Sequence, residues 1–287
     1  MKPPPFDYVA PETLEEALDV LAEHGDEAQP LAGGQSLVPM LSLRVARPSV
    51  VVDLQKIAAL KGISANGALR LGAMTRQKEV LDSDGVRKVL PALAAATWLV
   101  GHYQTRNRGT IGGSISLGEP AAENPAFALA LDAELELSSK RGTRTVKTSD
   151  FYTGPYMTER ADDELLTAIT YRPAANARIA VDEVAQRRGD FALSGLVAYV
   201  EENGGVIADA RIAWFGMGSQ PLRAPQVEAA LKGASLSGLD LAGLGELALA
   251  DTDPLEDVHA TADYRRDAGR ALFRRVMNKI VEGGAAI

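Results

Sequence analysis

The sequence predicts an α+β chain in two parts, a mixed N-terminal part and a C-terminal run of strands that closes in helices. Three observations carry this. Up to residue 172 the apolar residues switch repeatedly between helical spacing and short β-branched or alternating runs. RPAANAR, at 172 to 178, then breaks the composition, which places a domain boundary near residue 175. Beyond it ARIAVDEVA, SGLVAYVEENG and GVIADARIAWFG read as successive strands, and the last helix runs from about Ala262 to Glu282.

In order, PETLEEALDVLAEHG predicts an amphipathic helix: Thr13 caps it, Glu16 completes a capping box, and Leu14, Leu18 and Leu21 share one face. Gly25 stops it, with His24 as a cation in the last turn. QPLAGG follows as a short strand, LVPML as one helical turn and SVVVDL as a buried strand. ISANGALRLGAM holds Asn66-Gly67 between apolar segments, a hairpin signal. Helical patterns follow from about Thr75 and from Val86 to Val100. After a second glycine pair, Gly112-Gly113, come a helix and the strands ELELSS, TRTVKT and ELLTAITYR. GMGSQP is read as a turn ending a strand.

Composition excludes several function classes. The chain has 287 residues, 46% of them hydrophobic, enough for two cores. A net charge of -8 without a basic run argues against nucleic acid and anionic membrane as partners. With no cysteine it can hold no thiolate-ligated iron-sulfur cluster. Its first residues lack an apolar signal region, and LPALAAATWLV falls short of the ~20 residues that span a bilayer, so no membrane insertion and a cytoplasmic location are expected.

Only three histidines are present and none lies in an HExxH pair, which disfavours a metal site; Asp162, Asp163 and Glu164 read as a solvated turn. Neither GGQSL nor GGSIS completes a GxSxG elbow, GMGSQP lacks the third glycine of a dinucleotide fingerprint, and no Walker A lysine occurs. Two loops remain, AGGQS and TIGGS, about 80 residues apart. A strand-to-helix glycine turn exposes consecutive N–H groups that can form an anion nest, and two facing nests could hold a pyrophosphate. Ser36, Thr110 and Ser114 would add hydroxyl donors.

AGGQSLVPML, RNRGTIGGSIS and EPAAENPA together resemble the flavin-binding medium subunit of the molybdenum hydroxylases, the group that includes xanthine and carbon monoxide dehydrogenases. The likeness extends from PFDYVAPETLEEAL to DVHATADYRRDAGRALFRR. It implies a two-subdomain FAD-binding fold of the vanillyl-alcohol oxidase and para-cresol methylhydroxylase (PCMH) type over residues 1–175, split near residue 55. A C-terminal domain of antiparallel sheet and helices would follow over 176–287.

By the same resemblance, Ala32, Gly33, Gly34, Gln35, Ser36 and Leu37, with Thr110, Ile111, Gly112, Gly113 and Ser114, would wrap the pyrophosphate and ribityl parts of FAD. Glu123 would contact the cofactor, and Leu165 or Leu166 would line it. Val100 and Phe191 would lie near the isoalloxazine ring, although core packing is an equal alternative for Phe191. Two positions depart from relatives: Glu183 stands where some carry lysine, and His102-Tyr103 replaces a frequent Asp-Pro pair.

The resemblance further implies an electron-transfer subunit with no catalytic acid, base or nucleophile of its own. A large subunit would carry molybdenum-pterin and a small subunit two 2Fe-2S clusters, in a dimer of heterotrimers. A free-standing FAD oxidase of the vanillyl-alcohol type is the alternative.

Overall fold

The structure, a computed structural model, describes residues 2–283. Its first layer is a three-stranded parallel sheet in the order β1-β3-β2, from β1 (Asp7–Val9), β2 (Ala28–Leu31) and β3 (Val50–Asp53). Helix α1 (Leu14–His24) makes the crossover from β1 to β2, and the Thr13/Glu16 capping box is formed. Ala17, Leu18 and Leu21 bury its inner face against the central strand, whose four residues are all buried. Gly25, at φ 53°, ends the helix where a side chain would be strained. The short α2 (Leu37–Ser42) follows β2.

The second unit opens with the hairpin β4 (Ile63–Ala65) and β5 (Leu69–Gly72), turned at Gly67 with φ 72°. Six helices follow: α3 (Gln77–Asp82), α4 (Asp84–Val89), α5 (Pro91–Leu99), α6 (Tyr103–Arg108), α7 (Ile111–Leu117) and α8 (Glu123–Ala130). The helical stretch expected from Val86 to Val100 is broken at Pro91, which has no N–H to continue α4 and instead starts α5. Strands β6 (Glu134–Ser139), β7 (Gly142–Lys147) and β10 (Leu165–Tyr171) join the hairpin in a sheet ordered β4-β5-β10-β6-β7, while β8 (Tyr152–Gly154) pairs with β9 (Met157–Thr158).

One expectation holds only in part in this unit. Asp162 is exposed, but Glu164 is buried: Arg144 of β7 grips both its oxygens, at 2.7 and 2.8 Å, and holds its carboxyl below the usual range. Arg141 pairs with Asp163. Asp162 and Asp163 thus form the expected turn, with Asp162 in solvent, while Glu164 is a buried clasp on the β6-β7 hairpin.

The C-terminal sheet is antiparallel, ordered β11-β12-β13-β14, with β11 (Ala177–Ala185), β12 (Ala192–Asn203), β13 (Val206–Phe215) and β14 (Leu222–Arg223). Helices α9 (Pro225–Leu231), α10 (Leu241–Leu249) and α11 (Ala262–Val281) complete it. One face of the sheet, with Leu196, Ala198 and Trp214, packs on Leu272, Phe273 and Val276 of α11. The other, with Ile179, Val181, Val197, Tyr199 and Phe215, shares a core with α5 and α8. Burial on both faces explains why residues 192–200 of β12 are all inaccessible and do not alternate.

Candidate functional site

The two glycine loops meet backbone to backbone. The first leaves β2, turns at Gly34 with φ 72° and enters α2 through Ser36. The second lies between α6 and α7, so it does not follow a strand as expected, and Gly112 and Gly113 belong to the first turn of α7. A Cβ at Gly33 would stand 2.3 Å from the Arg108 carbonyl oxygen, and one at Gly113 would stand 3.1 Å from Ala32 Cβ. Any side chain at 33 would drive the loops apart.

Their backbone donors are used differently. In the second loop Ile111 N–H donates to Thr75 O, Gly112 N–H to Ala73 O, Gly113 N–H to Thr110 Oγ1 and Ser114 N–H to Thr110 O, at 2.9–3.2 Å. TIGGS is thus no open nest, which corrects the expectation. Gly112 has a packing role: a Cβ there would come within 2.4 Å of Ala73 Cβ. In the first loop, by contrast, the N–H groups of Gly33, Gly34, Gln35, Ser36 and Leu37 have no acceptor among the described residues. Ala32 and Thr110 also line a cavity of about 120 Å³ with Lys61, Arg76 and Arg108 against the single carboxylate of Glu79. Free donors and excess cations suit an anion.

Further along, α8 begins with Glu123, 5% exposed, whose carboxyl burial pushes up to about 7 although Arg106 opposes the shift. Asn124 beside it is fully buried, and both its amide atoms lack a partner among the described residues. Leu165 and Leu166 point to opposite faces of β10: Leu165 shares a cluster with Ala32 and Met74, whereas Leu166 belongs to the central core. Of the two, Leu165 is on the side of the first loop.

Gly189 holds the segment that leads to Phe191 against the turn that follows Val100. In the β11-β12 connection Gly189, at φ 88°, rests on the α5-α6 turn, where a Cβ would be 2.6 Å from the His102 ring and 2.7 Å from Gly101 O. Arg188 lies over the Trp98 ring at 4.5 Å, and Arg106 donates to the carbonyls of Val100 and Gly101. Val100 is buried in this turn, and Phe191 is 66% exposed, which removes core packing as its role.

Comparison with known proteins identifies the family. A family profile described as "FAD binding domain in molybdopterin dehydrogenase" matches residues 4–171, and one described as "CO dehydrogenase flavoprotein C-terminal domain" matches residues 179–280. The chain belongs to the FAD-binding medium subunits of the molybdenum hydroxylases. This medium subunit is 37% identical to the nicotine 6-hydroxylase medium subunit of Paenarthrobacter nicotinovorans, with 99% of each chain covered. It is 36% identical to the glyceraldehyde dehydrogenase medium chain of Sulfolobus acidocaldarius, over 98% of this chain and 100% of that one. It also superposes on a chain of the carbon monoxide dehydrogenase of Hydrogenophaga pseudoflava that lacks the Mo-pyranopterin moiety, with a TM-score of 0.95, 35% identity and 99% and 100% coverage.

Full-length likeness to medium chains makes the protein a flavin-binding part of a multi-subunit oxidoreductase and sets aside the free-standing oxidase. The molybdenum-pterin and iron-sulfur centres belong to partner subunits; this chain has no cysteine, and no His/Asp/Glu group among the described residues could hold a metal ion. No helix among the described residues is long and apolar enough to cross a membrane.

The medium subunit's residues fit FAD. Unpaired N–H groups and three cations match a diphosphate, and the orphaned amide of Asn124 needs a polar partner that the described residues do not supply. Asn124, Lys61, Arg76 and Arg108 escape sequence reasoning. The signal for Asn124 was present: an amide in the otherwise apolar ENPAFALA.

Proposed function

We propose that the medium subunit binds FAD with the diphosphate on the first loop, the hydroxyls of Ser36, Thr110 and Ser114 at its sides and the cations Lys61, Arg76 and Arg108 behind it. The observation that carries this is the run of five unpaired N–H groups from Gly33 to Leu37. Glu123 and Asn124 then face the more polar middle of the cofactor, and Leu165, Val100 and Phe191 face its ring. The division near residue 175 separates the N-terminal flavin-binding part from the C-terminal part, which carries Glu183 on β11 and Phe191 just before β12.

When bound, FAD would supply the redox chemistry that links the iron-sulfur clusters of a small subunit to an external acceptor. The chain's own task is to bind, orient and shield. Its apolar and backbone groups around the ring exclude water, and its buried carboxyls set the local charge. The assembly is a dimer of heterotrimers in the cytoplasm.

The test is direct. The double substitution Lys61→Glu/Arg108→Glu places two negative charges beside the diphosphate, and FAD affinity falls by about 100-fold or more while the melting temperature of the cofactor-free chain holds. Unchanged FAD affinity removes the assignment. Bound FAD should stay oxidised when the chain alone meets an organic substrate and become reduced once the partner subunits are added.

A further inference from the structure

One edge of the C-terminal sheet is open. β11 ends the sheet and pairs only with β12. Alternation decides which of its backbone groups point outward. On β13, Ile212 donates its N–H to the Glu228 carboxylate and its C=O accepts from the Ala224 N–H, both away from β12, so the next residue, Ala213, bonds to β12 at Val197. Val197 therefore directs its backbone groups to β13, and Val181, its other partner, points its N–H and C=O out of the sheet. Ile179, two residues earlier, points the same way. Glu183, two residues later, shows it directly: its N–H donates to Asp182 Oδ1 and its C=O accepts from Arg275.

Val181 and Ile179 have no such partners. Neither the N–H nor the C=O of either residue is bonded among the described residues, although the two are only 8% and 7% exposed. Unpaired backbone so nearly buried is rare and calls for a partner. The edge at Val181 is the floor of a cleft of about 480 Å³, walled by Leu99 and Trp98 of α5 on one side and by Lys279 of α11 on the other. Glu183 lies in the same cleft with its Oε2 buried and unpartnered, and Arg188, at the rim, meets the Trp98 ring but no carboxylate among the described residues. The cleft thus holds a donor, acceptors and an unpaired cation.

The shape of this edge selects its occupant. Donor and acceptor pairs two residues apart match the backbone of an extended chain rather than a small molecule. The β11 of a second copy cannot reach them, because the α5 and α11 walls that recess one edge recess the other. The chain is one part of a multi-subunit oxidoreductase, so other subunits are at hand. We propose that the recessed edge docks an extended segment of a partner subunit, which adds a strand beside β11 by pairing with Val181 and Ile179. The segment lays an apolar side chain against Leu99 and Trp98 and brings a carboxylate to Arg188. Arg275, bound to the Glu183 carbonyl, ends the pairing there and so sets its register. The inference rests on family membership and is independent of where the flavin lies.

Residue-resolved hydrogen exchange compares the chain alone with the assembled holoenzyme. The Val181 amide slows by about 100-fold or more on assembly. An equal rate in both overturns the proposal, and so does a Val181 amide whose protection in the chain alone grows with concentration, which would mean that two copies pair. Because any cover slows exchange, substitution must show the strand. Val181→Pro removes an N–H that takes no part in the β11-β12 ladder, and Val181→Ala controls for the lost side chain. Affinity for the partner subunits falls about ten-fold or more in the proline variant relative to the alanine one, and equal affinities overturn the added strand. Should the proline variant not fold, Arg188→Glu on the rim decides. Association weakened about ten-fold supports an acid-bearing segment, and undiminished association ends the proposal.

Discussion

Gly33 and Arg108 touch through their backbones: the place a Cβ would take at 33 lies 2.3 Å from the Arg108 carbonyl oxygen. The contact locks the two loops of the proposed flavin site into one unit. It also separates what each glycine does. Gly33 joins loop to loop, and Gly112 seats the second loop on Ala73, at 2.4 Å from its Cβ and 2.6 Å from its carbonyl oxygen.

Substitution at these two glycines should therefore have different outcomes. Gly112→Ala overpacks a buried backbone contact and lowers stability by about 1–3 kcal/mol, with or without cofactor. Gly33→Ala displaces the more exposed first loop, lowering FAD affinity by about ten-fold or more with a smaller loss of fold stability. Urea denaturation of both cofactor-free variants and FAD titration check this; a Gly112→Ala protein as stable as wild type would show that Ala73 yields.

Asn124 gives a cleaner separation of binding from folding. Replacing a buried amide that has no partner by the isosteric Leu removes a desolvation cost, so cofactor-free Asn124→Leu is as stable as wild type or gains about 1–3 kcal/mol. FAD binding weakens at the same time. A destabilised variant with normal FAD affinity would mean that the amide serves the protein alone.

The Arg144–Glu164 clasp predicts acid sensitivity. Glu164 has a depressed carboxyl, so its contribution is present above the unfolded carboxyl range and lost as pH falls through its folded value. Arg144→Met leaves the Glu164 carboxylate buried and costs about 2–3 kcal/mol at neutral pH, less than a fully buried pair because Arg144 is half-exposed. The cost shrinks as acid protonates Glu164. A pH-independent cost, measured by denaturant melts, would contradict the clasp.

Glu183 predicts the opposite slope. Its carboxyl rises from 4.5 to about 8 on folding, so the folded chain holds a proton the unfolded chain gives up, and that stabilisation is lost as pH rises towards 8. The stability difference between wild type and Glu183→Gln should move against wild type by up to about 1.4 kcal/mol per pH unit across that window. A constant difference between about pH 5 and about pH 8 would place the carboxyl in a normal environment.

Most of the architecture was legible because it follows local rules. The Thr13/Glu16 box, the Asn66-Gly67 hairpin and the three long C-terminal strands are set by residues within a few positions of one another. The two glycine loops were legible as a pair, and they meet backbone to backbone. What could not be read is what depends on distant backbone: that Ala73 and Thr75 take the N–H groups of TIGGS, and that Arg144 reaches Glu164 across a hairpin. Glu183 was visible as a departure from relatives, but its burial depends on how the C-terminal sheet meets α5 and α8.

The unequal use of backbone donors in the two loops bears on how the protein is made. Since Thr75, Ala73 and Thr110 satisfy the second loop from within the chain, that wall of the site forms whenever the chain folds. The first loop keeps five N–H groups without an acceptor among the described residues, the second only that of Thr110. Cofactor insertion can thus follow synthesis as a separate step, and a shortage of flavin would leave a folded, empty subunit awaiting loading rather than a misfolded one.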